Sequence, residues 1–304
     1  MKTPWWFLRK TPLSFVLWPL SVVYYMVSRL VYGVRKIGAY KSRRTVVCVG
    51  NIFAGGVGKT PIVREIALHL GAPVVMRGYK KGAKTGNIGD EALMLSRHGI
   101  QVHTGDRKSN IVLLNAQNDA SPIVMDDGFQ NPRISKDISI LVFDERLGAG
   151  NGFVLPAGPL REPVRAARRA DAIIIIKVDG ARARRLKLPV GVPVFYAHNE
   201  THSPYDKKTR LAAFAGIGYP KKFFAALTNV VYKKSFADHY QYTDEDIERL
   251  AKAAARRKAK LITTEKDWVR LPLSARKDIK YAELSTVIEN GFYDWLKEKL
   301  GCQH

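Results

Sequence analysis

The chain has 304 residues, 46% of them hydrophobic and 25% charged, and this balance excludes disorder, collagen-like repeats and an all-coil chain. Fifty Lys and Arg oppose 27 Asp and Glu, a formal charge of +23, which favours anionic partners such as nucleic acid, an anionic membrane or a phosphorylated substrate. Cys48 and Cys302 are the only cysteines, so neither a disulfide framework nor a Cys-rich zinc site organises the fold, and a reducing compartment fits.

The N-terminus concentrates the basic excess. Eleven Lys or Arg precede the first acid, Glu65. They flank Thr11 to Ser28, eighteen residues without a charge. That length is the short end of what crosses a hydrocarbon layer of about 30 Å. Trp5, Trp6, Trp18, Tyr24 and Tyr25 are types that settle at a lipid–water interface. Pro12 and Pro19 weaken a continuous helix. No small-residue cleavage site follows, which argues against a signal peptide. A membrane anchor, spanning or interfacial, is expected, with a buried core helix as the alternative. A second basic stretch runs from Arg161 to Lys187, and a third, Arg256 to Lys260, also reads as a solvated face.

From Thr45 the pattern changes. Thr45 to Asn51 is a β-branched apolar run, the signal of a buried strand. Phe53-Ala54-Gly55-Gly56-Val57-Gly58-Lys59-Thr60 follows at once, and a helical run continues from Pro61 to Leu70. Strand, glycine-rich turn, Gly-Lys-Thr and helix form a phosphate cradle, because backbone N–H groups and the helix dipole converge on phosphate oxygens. Lys59 reaches the β/γ phosphates and the Thr60 hydroxyl binds Mg²⁺ in such a loop. The strict pattern wants glycine at 53, and this chain has Phe53.

Strand and helix signals then alternate. Strands are expected at 73–76, 100–103, 122–127, 138–144 and 172–178, and helices at 90–98 and 109–117. Such alternation predicts a parallel sheet flanked by helices, with ligands at the carboxyl ends of strands. Asp126 stands where a Walker B carboxylate should, though Asp144 also ends a strand and Asp127-Gly128 also reads as turn chemistry. In the second half, Leu211 to Gly218 reads as a strand into a glycine turn and 220–227 as a helix. Thr243 to Asp246 caps a helix running to Lys260, 261–267 is a strand leaving a polar loop, and 291–300 is a final amphipathic helix. The expected domains are an N-terminal membrane-associated helix with its basic flank (1–44), a P-loop NTPase-type α/β domain (45–190) and a smaller C-terminal α/β domain (191–304). Residues 182–192 are a candidate linker.

Several strings occur together in a known order: Val49-Gly-Asn51, Gly55 to Pro61, Arg77-Gly-Tyr79, Gly89-Asp-Glu91, Asp126-Asp-Gly-Phe-Gln130, Leu155 to Pro163, Phe214 to Gly218, Asp238-His-Tyr240 and Thr263 to Asp267. In these the chain resembles the tetraacyldisaccharide 4′-kinases of Gram-negative bacteria over nearly its whole length. The resemblance implies transfer of the ATP γ-phosphate to the 4′-hydroxyl of tetraacyldisaccharide 1-phosphate, giving lipid IVA in lipid A biosynthesis. It implies an enzyme on the cytoplasmic face of the inner membrane. A monomer is expected, although the sequence does not separate it from a dimer; a nucleic-acid partner is not expected, since no recognised nucleic-acid motif is present and the basic excess clusters beside the apolar segment. Residues 53–60 would bind ATP, with Lys59 on its phosphates. Thr60, Asp126 and Glu91 would hold Mg²⁺. Asp90 would be the general base and His239 its partner, with Asp127 a further acid beside the metal. Arg77, Arg107 and Arg161 would contact the substrate phosphate or sugar.

From the residues alone, Gly89-Asp90-Glu91 also reads as a helix start, and His239 as structural. Thr263 to Asp267 is compatible with an adenine contact or with simple strand closure. The stretch from Gly78 to Gly89 is shorter than the family's hairpin insert, and Ala92, Met76 and Asn131 replace the family's usual Pro, Ser and His. The rival reading is a membrane-associated P-loop ATPase without a small-molecule acceptor. That class places Lys before Gly-Gly-x-Gly-Lys-Thr, where this chain has Ala54.

Overall fold

A computed structural model describes residues 4–78, 89–178, 184 and 186–301. Tyr79, most of the short 78–89 stretch, residues 182, 183 and 185 of the 182–192 linker and Cys302 lie outside the described residues. The chain forms two compact units. Residues 199–285 make the smaller one, and the rest of the described chain makes the larger. Both the N-terminal helices and the C-terminal helix therefore belong with the larger unit, whereas the sequence reading set boundaries near 44 and 190.

In chain order the larger unit has α1 (Pro12–Val16), α2 (Trp18–Lys36), β1 (Val46–Gly50), α3 (Lys59–Leu70), β2 (Val74–Met76), α4 (Asp90–Arg97), β3 (Val102–Thr104), α5 (Arg107–Asn115), β4 (Ile123–Asp126), β5 (Ile138–Asp144), β6 (Ala172–Lys177) and the start of β7 (Val194–His202). Its strands lie in the order β3-β2-β4-β1-β5-β6-β7, all pairs parallel. β1 and β4 are buried throughout, as the inner strands of a parallel sheet must be. From β1 the chain winds to one side through β2, β3 and β4, then to the other through β5, β6 and β7. That reversal opens the crevice where ligands of such sheets bind, at the carboxyl ends of β1 and β4. Cys48 lies inside β1, and burial pushes its thiol up to about 12, so it is an inert core residue.

The smaller unit follows with β8 (Leu211–Ala215), α6 (Pro220–Ala226), β9 (Val230–Ser235), α7 (Asp244–Ala255), β10 (Lys260–Thr264), α8 (Glu265–Trp268) and β11 (Lys280–Ile288). Its parallel strands run β11-β10-β8-β9. Thr243 and Asp246 form the capping box expected at the start of α7, but the helix stops at Ala255 and not at Lys260. The final helix, α9 (Asn290–Gly301), returns to the larger unit, where Phe292 and Leu296 are fully buried and Phe195 meets Phe292 edge-on at 5.4 Å.

The apolar stretch from Thr11 to Ser28 is not one helix. It breaks at Leu17, because Pro19 occupies the first turn of a new helix and cannot continue the old one. α2 then runs past Arg29 to Lys36. No helix among the described residues is long and apolar enough to cross a membrane. One side of this segment is docked on the body by polar contacts. Ser21 Oγ donates to Val154 O at 2.9 Å and accepts from Ala157 N at 3.0 Å. Asn151 Nδ2 donates to Trp6 O, Ser14 Oγ and Ala157 O. Tyr25 and Tyr32, two turns apart, receive Arg165 and Arg169 over their rings. The other side of α2 exposes Leu20, Val23, Val27, Leu30 and Val34 at helical spacing.

Candidate active site

β1 delivers the chain into the glycine loop at Asn51, which is fully buried. Its Nδ2 donates to Phe53 O at 2.9 Å and to Gly55 O at 3.4 Å, and its Oδ1 accepts from Lys59 Nζ at 3.3 Å. The side chain thus ties both ends of the loop together. Phe53, where the strict pattern has glycine, points into the core and is 2% exposed. The loop is braced from outside by residues 159–161. Ala54 N donates to Pro159 O and Arg161 N to Ile52 O, each at 2.7 Å. The Ala54 N–H is therefore committed to the protein. Gly55, Gly56 and Gly58 are exposed. Gly58 starts α3 with φ 81, a left-handed conformation that side chains resist. Lys59 and Thr60 form the first turn of α3, where the dipole favours an anion.

Beside this loop, β4 ends at Asp126, in parallel register with Val49. Asp127 follows with φ 52, its N–H donated to Val49 O at 2.8 Å. This left-handed turn swings the Asp127 carboxylate back over the loop. Lys59 Nζ lies 3.2 Å from its Oδ1, and Arg161 reaches both oxygens at 3.0 and 2.9 Å. Burial opposes ionisation of Asp127, but Lys59 and Arg161 outweigh it and hold the carboxyl below its ordinary range. Gln130 closes the ring, donating to Asn51 O at 2.9 Å and accepting from Arg161 at 3.4 Å. Arg107, at the start of α5, donates to Asp126 O at 2.8 Å and Asp127 O at 3.2 Å. Burial lowers the pKa of its guanidinium, against the pull of Asp127 and Asp126.

Asp126 differs from its neighbour. It is 6% exposed and its Oδ1 has no hydrogen-bond partner among the described residues. Burial raises its carboxyl to about 6, with Glu91 and Asp127 adding repulsion and Lys59 and Arg107 opposing. Glu91, on the first turn of α4 with Asp90, is thus within electrostatic reach of Asp126. Asp144, the other strand-end acid, is a turn residue: its Oδ1 accepts from Leu147 N at 3.0 Å. Arg77 is exposed beyond β2 and acts on Arg107 as a like charge.

The structure therefore gathers Lys59, Asp126, Asp127, Arg107 and Arg161, with Glu91 within reach. Asn51 and Gln130 had no site role in the sequence reading. A polar residue closing a run of buried apolar ones was the available signal for Asn51. His239 belongs to the smaller unit, Asp90 to the larger. His239 adopts φ 61 and donates its N–H to Gly216 O at 3.1 Å. Its Nδ1 meets Arg270 at 3.0 Å, and its Nε2 lies 3.9 Å from Asp238 Oδ1.

The orphaned carboxylate makes a testable statement about stability. Asp126 is protonated more readily folded than unfolded, so wild-type stability falls as pH rises from about 4 through about 6. Asp126→Asn is expected to stabilise the metal-free protein by about 1–3 kcal/mol at pH 7.5. The gain should vanish near pH 4. Thermal unfolding in chelator at both pH values measures it, and equal stability of the two proteins at pH 7.5 would contradict it.

Comparison with known proteins agrees with this geometry. The family model described as tetraacyldisaccharide-1-P 4′-kinase matches residues 13–301. The tetraacyldisaccharide 4′-kinase of Rhodopseudomonas palustris strain BisA53 is 36% identical over 99% of this chain and 97% of its own. That of Chelativorans sp. strain BNC1 is 35% identical over 88% and 84%, and that of Phenylobacterium zucineum 40% identical over 77% and 78%. Among solved structures, an "apo" form of LpxK from Aquifex aeolicus in complex with ATP superposes with a TM-score of 0.75 at 25% identity, covering 95% of this chain and 98% of that one. This chain belongs to the tetraacyldisaccharide-1-P 4′-kinase family.

Proposed function

We infer that this protein is an ATP-dependent kinase that phosphorylates the 4′-hydroxyl of tetraacyldisaccharide 1-phosphate, the step that yields lipid IVA. The observation that carries the reading is the Lys59–Asp127–Arg161 network, built on the glycine loop at the carboxyl ends of β1 and β4. Phosphoryl transfer requires little covalent chemistry from a protein. It requires cations held where the γ-phosphate passes, and a base for the acceptor hydroxyl. Lys59 and Arg161 are cations already in position. An ATP phosphate entering the loop competes with Asp127 for Lys59. An ATPase without an acceptor would leave Asp90 and His239 without a task.

The donor set fits Mg²⁺. Among the described residues no three His, Cys, Asp or Glu side chains converge as a ready cage. Mg²⁺ does not need one, since it is held through one or two carboxylates, waters and the nucleotide phosphates. Asp126, with an unpartnered buried oxygen, and the Thr60 hydroxyl are the residues that would hold it, with Glu91 beside them. When bound it supplies neutralisation of the phosphate charge. Asp90 takes the proton of the 4′-hydroxyl. The 4′ oxygen then bonds to the γ phosphorus as the bond to the β–γ bridging oxygen breaks and ADP leaves. His239 is the second residue that the resemblance assigns to catalysis. These two roles rest on the family's Gly-Asp-Glu and Asp-His motifs. Arg107 is a support for the 126–127 turn, which leaves Arg77 and Arg161 as the stronger candidates for the substrate phosphate.

A lipid acceptor also calls for attachment to the membrane, which we place at the cytoplasmic face of the inner membrane. The exposed apolar stripe of α2, with Arg29, Arg35 and Lys36 on the same helix, supports an interfacial helix lying along the bilayer. Polar contacts of Ser21 hold its opposite side, and Asn151 holds Ser14 of the preceding α1.

Incubation of the detergent-solubilised protein with Mg·ATP labelled at the γ position and the acylated disaccharide 1-phosphate tests the activity. Label should appear at the 4′ position and be absent with Lys59→Ala. ATP hydrolysis without lipid labelling would turn the assignment to the acceptor-free ATPase. Asp90→Ala should lower kcat by about 10²- to 10⁴-fold, the range of general-base catalysis, with ATP binding little changed. Near-normal turnover would remove Asp90 as the base. The double variant Val27→Glu, Leu30→Glu alters only exposed positions and should reduce sedimentation with anionic phospholipid vesicles by at least about tenfold. Unchanged sedimentation would count against the interfacial helix.

A further inference from the structure

The smaller unit contains a buried ion pair that phosphate binding does not use. Asp267 and Arg270 have side chains 0% and 1% exposed, with Oδ1 and NH1 3.2 Å apart. A buried pair of this kind is costly unless every polar atom is placed. Here the atoms are placed. Asp267 Oδ2 accepts from Gly216 N at 3.0 Å and from Thr264 Oγ1 at 2.7 Å. Arg270 NH1 also donates to Gly216 O at 3.2 Å, and NH2 meets His239 Nδ1 at 3.0 Å. A Cβ on Gly216 would stand 2.9 Å from Ala237 O and 3.1 Å from Asp267 Oδ1, so only glycine lets these groups close together. The Thr263 to Asp267 string thus builds the floor beneath His239.

The contact between Arg270 and His239 has a single chemical solution. A guanidinium has donors only and does not lose its proton. The Nδ1 it meets must therefore present a lone pair. A neutral imidazole with a bare Nδ1 carries its proton on Nε2. An imidazolium would set N–H against N–H and a second cation against the buried Arg270 guanidinium. The ring is also fixed through its backbone, since the His239 N–H is held by the same Gly216 carbonyl that Arg270 binds.

We propose that Arg270, anchored by Asp267, holds His239 as the neutral tautomer protonated at Nε2, so that His239 presents a hydrogen-bond donor and does not act as a base. The consequence for catalysis rests on the kinase reading above: His239 contributes a donor, and the proton of the acceptor hydroxyl goes to Asp90. Arg270 is then a positioning residue that touches neither nucleotide nor lipid.

The tautomer can be read without any substrate. The full chain, labelled with ¹⁵N-histidine and solubilised in detergent, is examined at pH 7.5 by long-range proton–nitrogen correlation, with His239→Gln assigning the signals. The expected pattern for His239 is a bare Nδ1 and a protonated Nε2. A protonated Nδ1, alone or in an imidazolium, would overturn the proposal, whether or not any variant folds. Arg270→Lys should show a mixture of tautomers. The same variant should lower kcat by about 10- to 100-fold with KM for ATP unchanged, the cost of a misplaced catalytic group. Combined with His239→Gln it should add no further loss, because both changes act through one group. Additive losses, or a raised KM for ATP with kcat intact, would overturn the positioning role. Should the wild-type chain label no lipid, the kinase reading fails while the tautomer pattern still stands or falls by its spectrum.

Discussion

The candidate site depends on one carboxylate. Asp127 sits in a left-handed turn immediately after β4 and takes Lys59 from one side and Arg161 from the other. Without it, two cations would face each other across a partly buried crevice, and the long side chains would be driven toward solvent. With it, the cations are held near the glycine loop before any anion arrives. Asn51, Gln130 and Arg107 extend the arrangement. Each fixes backbone that carries the charged groups and does not itself add a charge pair, which keeps the network satisfied as it becomes buried.

The two acids of the Asp-Asp-Gly motif are therefore unlike. Asp127 is stabilised as an anion by its partners, while Asp126 is raised to about 6 by burial and keeps an orphaned oxygen. Paired carboxylates whose environments push them apart in this way divide the work between them. One preorganises cations, and the other stays buried with an oxygen that has no partner among the described residues.

The same loop that braces the glycine turn also carries the N-terminal helices. Pro159 and Arg161 hold the turn, and Val154 and Ala157 hold Ser21 of α2. Arg169 stacks on Tyr32 of α2 and on Phe129 of the Asp-Asp-Gly-Phe-Gln string, and pairs with Glu162 at 2.6 Å. The N-terminal helices and the phosphate loop are thus neighbours through one short segment.

By itself the sequence determined the alternating α/β plan, the phosphate loop and the paired acids at the end of β4. These are local: apolar runs, glycines before Gly-Lys-Thr, and caps such as Thr243 with Asp246 are dictated by residues near one another in the chain. It missed β7, β9 and β11, whose residues are half exposed and carry no continuous apolar run. It read Thr11 to Ser28 as one segment, where Pro19 starts a second helix. Only the tertiary structure decided what the charged residues do. Arg107, Arg161 and Arg270 have the same sequence character, a lone arginine beside a loop. One supports a turn, one shares a carboxylate with Lys59, and one meets a histidine ring from below. Their partners lie tens of residues away, and no periodicity encodes which donor meets which acceptor once burial makes every such contact obligatory.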